Sequence, residues 1–142
     1  MRTIINIVSY ASLLVFASCK REFEPIEYGK DACANCKMTI VDTRYAAEML
    51  TMKGKAYKFD DVICMKLYAD YNPEQSKNAQ YFVSSYTNHQ SEFTDATKAV
   101  YLYSTYFASP MSGNYAAFPN ANAARHLKDS LQTKTVDWGS IN

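Results

Sequence analysis

The chain has 142 residues, 48% hydrophobic and 20% charged, which suits one modest domain with a core of its own. Its 15 basic and 14 acidic residues nearly cancel, so net charge gives no warrant for binding nucleic acid or acidic lipid. Four Gly and four Pro exclude a collagen-like or low-complexity chain, while four Cys and six Met supply an abundance of soft sulfur.

Residues 1–18 read as a lipoprotein signal peptide. Met1-Arg2 is a positive start, Ile4 to Phe16 is a largely apolar run, and the small residues Ala17-Ser18 lead into Cys19. The run is short beside the roughly 20 residues of a bilayer span. Cys19 at the cleavage point resembles the lipobox of bacterial lipoproteins, with Phe16 where Leu is usual. Lipidation at Cys19 would remove that thiol from metal or redox chemistry. A mature chain from Cys19 would carry 14 charges of each sign. Residues 19–31 read as a charged tether with Pro25 and Gly29 as breakers. The domain proper is expected over 32–142.

Within that domain the pattern occurs twice. Met38 to Val41 and Tyr45 to Met52 read as strands around the Asp42-Thr43-Arg44 turn, and Ala56 to Phe59 follows Gly54 as a third. Asp60-Asp61 stands where an N-cap and first-turn acid belong, before a helix over Val62 to Tyr71 with Ile63, Leu67 and Tyr71 as its apolar stripe. Asn72-Pro73 stops it. Tyr81 to Tyr86 is a strand, and Thr87 to Glu92 a polar loop. In the second half Ala99 to Tyr103 and Tyr115 to Phe118 are strands. A helix follows from Pro119-Asn120 to about Leu131, and Thr135 to Trp138 is a last strand. The expectation is an α+β fold of two β-β-α-β units, about 32–90 and 91–142, packed as one domain. Phe59-Asp60-Asp61 and Phe118-Pro119-Asn120 would then be equivalent strand-to-helix junctions.

With Cys19 lipidated, Cys33, Cys36 and Cys64 remain, an odd number that cannot close into disulfides alone. A second C-x-x-C for a zinc ribbon is missing, and a Cys3His site completed by His89 or His126 lacks the usual spacing. A thioredoxin-like reading wants a helix after Cys36, where Lys37 to Val41 reads as strand. On that strand Cys36 and Met38 would share a face. Met111 lies in Ser109-Pro110-Met111-Ser112-Gly113, among turn residues rather than at a core position. Cys64 and Met65 fall on the first helix, and Met49 and Met52 read as core of the second strand. Thiolate and thioether donors select copper(I), and methionine stays competent where an oxidising compartment closes thiols into disulfides.

Several segments together resemble the NosL family of nitrous oxide reductase accessory proteins. They are Cys33-Ala-Asn-Cys36-Lys-Met38-Thr-Ile, Tyr45-Ala-Ala-Glu, Gly54-Lys-Ala-Tyr-Lys-Phe59-Asp-Asp, Phe93-Thr-Asp95-Ala-Thr-Lys-Ala-Val-Tyr, Ser109-Pro-Met111-Ser-Gly113 and Ala117-Phe118, in order along the chain. Ser112 departs from the family, which often has a second Gly there. The resemblance implies a monomeric, lipid-anchored periplasmic copper(I) chaperone without catalysis of its own. It also implies delivery to nitrous oxide reductase beside a copper-loading ABC transporter complex. Met111 is then the most dependable metal ligand, with Cys33, Cys36 and Met38 beside it and Cys64, Met65 and His126 as further candidates. A C-x-x-C thiol-disulfide redox lipoprotein and a surface adaptor stapled by a Cys33–Cys36 disulfide are the alternatives.

Overall fold

β1 (Ala47–Leu50) lies at the centre of the first sheet, pairing antiparallel with β2 (Ala56–Phe59) on one side and β3 (Gln80–Ser84) on the other. β4 (Phe93–Asp95) adds to β3 and completes the order β2-β1-β3-β4. The second sheet has the order β6-β5-β7, built from β5 (Val100–Tyr103), β6 (Tyr115–Phe118) and β7 (Thr135–Val136). This computed structural model describes residues 21–87 and 92–142. The expected signal peptide, Cys19 and His89 lie outside the described residues.

The two β-β-α-β units are visible in the topology. In the first, α1 (Val62–Tyr71) connects β2 to β3; in the second, α3 (Ala121–Ser130) connects β6 to β7. Both sheets place the first strand of the unit between its second and third. The junctions correspond as well. Asp61 caps α1 by accepting from Ile63 N, and Asn120 caps α3 by accepting from Ala123 N. Each satisfies an amide that the first helical turn leaves without a partner. α2 (Pro73–Ser76) is a single turn after Asn72, begun by its proline. β4 lies beyond residue 90, yet it belongs to the first sheet.

Every residue of β1 is buried because the sheet is covered on both faces. Tyr57 and Phe59 stack on Tyr68 of α1, with ring centroids 4.9 and 5.4 Å apart. Val62, Cys64 and Met65 are the buried residues of that helix. This corrects the expected stripe: Leu67 and Tyr71 are exposed, because the covering aromatics of β2 meet the Met65–Tyr68 side of α1 instead. Met49 is in the core as expected, but Met52 is 64% exposed, since β1 ends at Leu50 and Met52 has entered the turn.

The opposite face of the sheet is covered by residues 23–31, the segment expected as a tether. Phe23 packs on Phe82 and Phe93, Ile26 is buried, and Glu24 N donates to Glu48 Oε1 at 2.9 Å. Lys58 Nζ pairs with both Glu24 and Asp31. Two of the charges that suggested a tether, Glu24 and Asp31, are thus used in docking, while Lys30 and Glu27 pair with each other at the surface.

The expected strand over Met38 to Val41 is absent. Only an isolated bridge joins Ala32 and Thr39. Lys37 adopts φ 67°, a left-handed conformation that closes the chain back, so that Lys37 N bonds Cys33 O and Cys33 N bonds Met38 O. Cys36 and Met38 therefore do not share a strand face.

The two units share their interior. Tyr101, Tyr115 and Ala117 belong to the buried cluster built around Met49, Phe59 and Met65. Tyr45 joins Leu102, Phe107 and Phe118 in the second cluster, beneath α3, and its hydroxyl donates to Phe107 O. Tyr86 N donates to Ala117 O at 2.9 Å, tying the end of the first sheet to β6.

Candidate metal centre

The turn after Asp31 carries the first two thiols. It is pinned to the sheet by Ala34 N, which donates to Lys58 O at 2.8 Å, and closed by the left-handed Lys37. The β2–α1 junction then contributes Asp60, and the first turn of α1 contributes Cys64. The sulfur atoms of Cys33, Cys36 and Cys64 and a carboxylate oxygen of Asp60 all lie within 4.8 Å of one another, a group that could hold a metal ion. Cys33 and Cys64 are fully buried, Asp60 is 2% exposed, and Cys36 alone is half-buried. All three cysteines are free thiols.

The protons in this cluster are distributed unequally. Hydrogen bonding with the Cys64 thiol draws the Cys33 thiol down to about 6, against burial, which acts the other way. The same bond, with burial, pushes Cys64 up. Burial pushes Cys36 up to about 11, and its thiol donates to Asp60 Oδ2 at 3.3 Å. Asn35 Nδ2 approaches Cys64 Sγ at 3.6 Å. Asp60 Oδ1 is buried with no hydrogen-bond partner among the described residues. An unpartnered buried carboxylate oxygen is costly, and a cation beside it would relieve that cost. Donor chemistry and geometry thus both fit a metal, with the thiolates selecting a soft one.

Asp60 is absent from the metal-ligand candidates that the sequence suggests. The available signal was its position four residues before Cys64 at a helix start, which the Asp60-Asp61 pair disguised as capping chemistry alone. The cap is Asp61, which leaves Asp60 free to face the thiols.

The methionines fall in different surroundings. Met111 is 38% exposed on the loop before β6, and lines a groove of about 610 Å³ with Ile63 and Gly113. Asp61 holds that loop to α1: its Oδ2 accepts from Ser109 Oγ at 2.6 Å and from Met111 N at 3.1 Å. Gly113 suits the closeness of this contact, because a Cβ there would stand 3.0 Å from Ile63 Cβ and the two would have to part by a few tenths of an ångström. Ser112, where the resemblance expected glycine, adopts φ 58°. Met38 is 45% exposed at the end of the thiol turn. Met65 packs in the core with Met49 and Phe59, and His126 is exposed on α3, which covers the second cluster. The cysteines of the candidate set are therefore gathered, Met111 is fastened to the same helix end, and Met65 and His126 serve as packing and surface.

Comparison with known proteins agrees with this architecture. The profile of the NosL family matches residues 26–142. The crystal structure of the copper chaperone NosL from Shewanella denitrificans superposes with a TM-score of 0.70 at 16% identity, covering 87% of this chain and 97% of that chain. No curated protein matches the sequence. With a family match over most of its length, the chain belongs to the NosL family.

Proposed function

We propose that this chain is a copper(I)-binding metallochaperone, without catalysis of its own, that takes part in maturing nitrous oxide reductase. The observation that carries the reading is the convergence of Cys33, Cys36 and Cys64 within 4.8 Å, beside Asp60, whose Oδ1 has no hydrogen-bond partner among the described residues. Soft thiolates favour copper(I), and a small buried cluster with one half-buried member suits an ion that must be both held and released. Cys36 is the accessible thiol, while Cys33 and Cys64 form the floor. Met111 and Met38, both partly exposed near this end of the first unit, serve as thioether donors during uptake and transfer.

The expected setting is the periplasmic side of the cell envelope, with a lipid anchor at Cys19. The expected contacts are nitrous oxide reductase or its copper-loading ABC transporter complex, met by a monomer. Replacing Cys19 with Ser should abolish partition with membrane lipoproteins.

The decisive experiment is titration of the reduced protein with copper(I) against a calibrated competing chelator. Stoichiometric binding that is lost in Cys33→Ser and Cys64→Ser supports the proposal; failure of the unsubstituted protein to compete sinks it. The lowered Cys33 thiol favours thiol-disulfide exchange as a second reading. Against it, Cys33 is fully buried and no helix opens at Cys36. Insulin reduction by the metal-free protein would reverse that order.

A further inference from the structure

The two ends of the first sheet carry different chemistry. The cysteine cluster lies where β2 ends and α1 begins. At the other end, the turn from β1 to β2 and the residues around α2 enclose a groove of about 720 Å³, lined by Thr51, Met52, Lys53, Lys55, Lys77 and Asn78 among others. Glu74 is the one acid of that lining. Lys53 and Lys77 are exposed and form no ion pair among the described residues, while Lys55 Nζ sits 4.6 Å from the centroid of the Tyr57 ring. Met52, at 64% exposure, stands in the midst of these lysines. The near-zero net charge of the chain conceals this local excess.

The chain also enters at this end. Arg21 Nη1 donates to Asn78 O at 3.2 Å, which fastens the first described residue to the rim of the groove. Two peptide links separate Arg21 from Cys19, a reach of no more than about 7 Å. A lipid on Cys19 therefore holds this rim close to the bilayer. The lysines would then meet headgroup phosphates within a Debye length, where their attraction is strong.

We propose that the β1–β2 turn and the α2 end of the first unit rest on an anionic phospholipid surface, with Lys53, Lys55 and Lys77 at the headgroups and Met52 in the interface. The proposal rests on the lipid anchoring stated above. Its consequence is orientation. α1, ten residues long, spans about 15 Å from the groove end to the cluster. The cysteines thus face away from the bilayer, toward whatever receives the metal.

The test uses the full lipidated chain in vesicles of phosphatidylethanolamine and phosphatidylglycerol, floated and then acetylated with a water-soluble reagent. Lys53, Lys55 and Lys77 should be acetylated several-fold more slowly than in detergent, while Lys128 and Lys134 of the second unit should react alike in both. In vesicles of phosphatidylcholine alone the protection should fade, as it should in the anionic vesicles at high salt. In a Lys53→Gln, Lys77→Gln chain, protection of Lys55 should weaken although the protein still floats. A chain that does not float overturns the anchoring, and the orientation with it. A chain that floats with Lys53, Lys55 and Lys77 as reactive as Lys128 and Lys134 overturns the orientation alone. Protection that is equal on neutral and anionic vesicles overturns the headgroup assignment.

Discussion

Asp61 joins Met111 to the first helix: one carboxylate oxygen accepts from Ser109 Oγ at 2.6 Å and Met111 N at 3.1 Å, while the other accepts from Ile63 N at 3.1 Å. A single buried side chain thereby caps α1 and fixes a loop that lies fifty residues away in sequence. The cap neighbours Asp60 and precedes Cys64 by less than one helical turn, so the loop and the thiol cluster share one rigid support.

Replacing Asp61 with Ala removes three hydrogen bonds at once. Loss of an N-cap alone costs about 0.5–2 kcal/mol, and stranding buried partners adds to it. The expected destabilisation is about 2–4 kcal/mol in chemical denaturation. A variant within about 0.5 kcal/mol of the parent would show that the loop holds without this carboxylate.

Glu48 gives the fold a pH dependence. It is fully buried in β1, and Oε2 has no hydrogen-bond partner among the described residues. Burial pushes its carboxyl from the ordinary 4.5 up to about 7, with the Glu24 amide and Lys58 acting in the opposite direction. The folded protein therefore retains a proton that the unfolded chain releases. Stability from this group is full below about 4.5, is lost as pH rises toward 7, and stays level above. Glu48→Gln should abolish that slope and stabilise the protein by about 1–3 kcal/mol at pH above 7. Denaturation midpoints of both proteins across this range decide the matter; parallel curves would refute it.

Ile26 distinguishes a docked segment from a tether. It is 8% exposed and packs in the main core cluster. Truncating such a side chain to Ala costs about 2–4 kcal/mol, whereas a substitution in a solvated linker stays within about 0.5 kcal/mol. Equilibrium unfolding of Ile26→Ala should show the larger loss, and a loss of the smaller size would restore the tether reading.

The parts of the fold that were legible in the sequence are those with local causes. Ala56–Phe59, Val62–Tyr71 and Tyr115–Phe118 have the bounds that alternation, Asp61 and Asn72-Pro73 imply. The doubled β-β-α-β order followed from the same signals. What escaped is set by contacts between distant residues. The strand after Cys36 fails because Lys37 turns left-handed, which its residue type does not announce. The outward Leu67 and Tyr71 and the docked Ile26 depend on where Tyr57, Phe59 and Phe82 lie. Similarly, the C-x-x-C pair was visible, but the meeting of Cys33 with Cys64 and Asp60 requires the packing of a turn against a helix start.

Met111→Leu separates ligand from filler. Leucine nearly conserves volume and apolarity, so a merely packed methionine tolerates it at less than about 1.5 kcal/mol. Exposure of 38% on a loop lowers that cost further. If Met111 donates its thioether, copper(I) affinity should fall by a factor on the order of 10–100 while metal-free stability holds. Met49→Leu is the control, since Met49 lies wholly within the core and should leave copper binding unchanged. Asp61→Asn supplies the coupling. It loosens the loop that carries Met111, so its affinity loss and that of Met111→Leu should not add, as expected for residues acting on one ion. Additive losses would assign Asp61 to helix capping only. Unchanged affinity in Met111→Leu would confine the site to the first unit, to Cys33, Cys36, Cys64 and Asp60, whose atoms already lie within 4.8 Å, with Met38 as the remaining thioether.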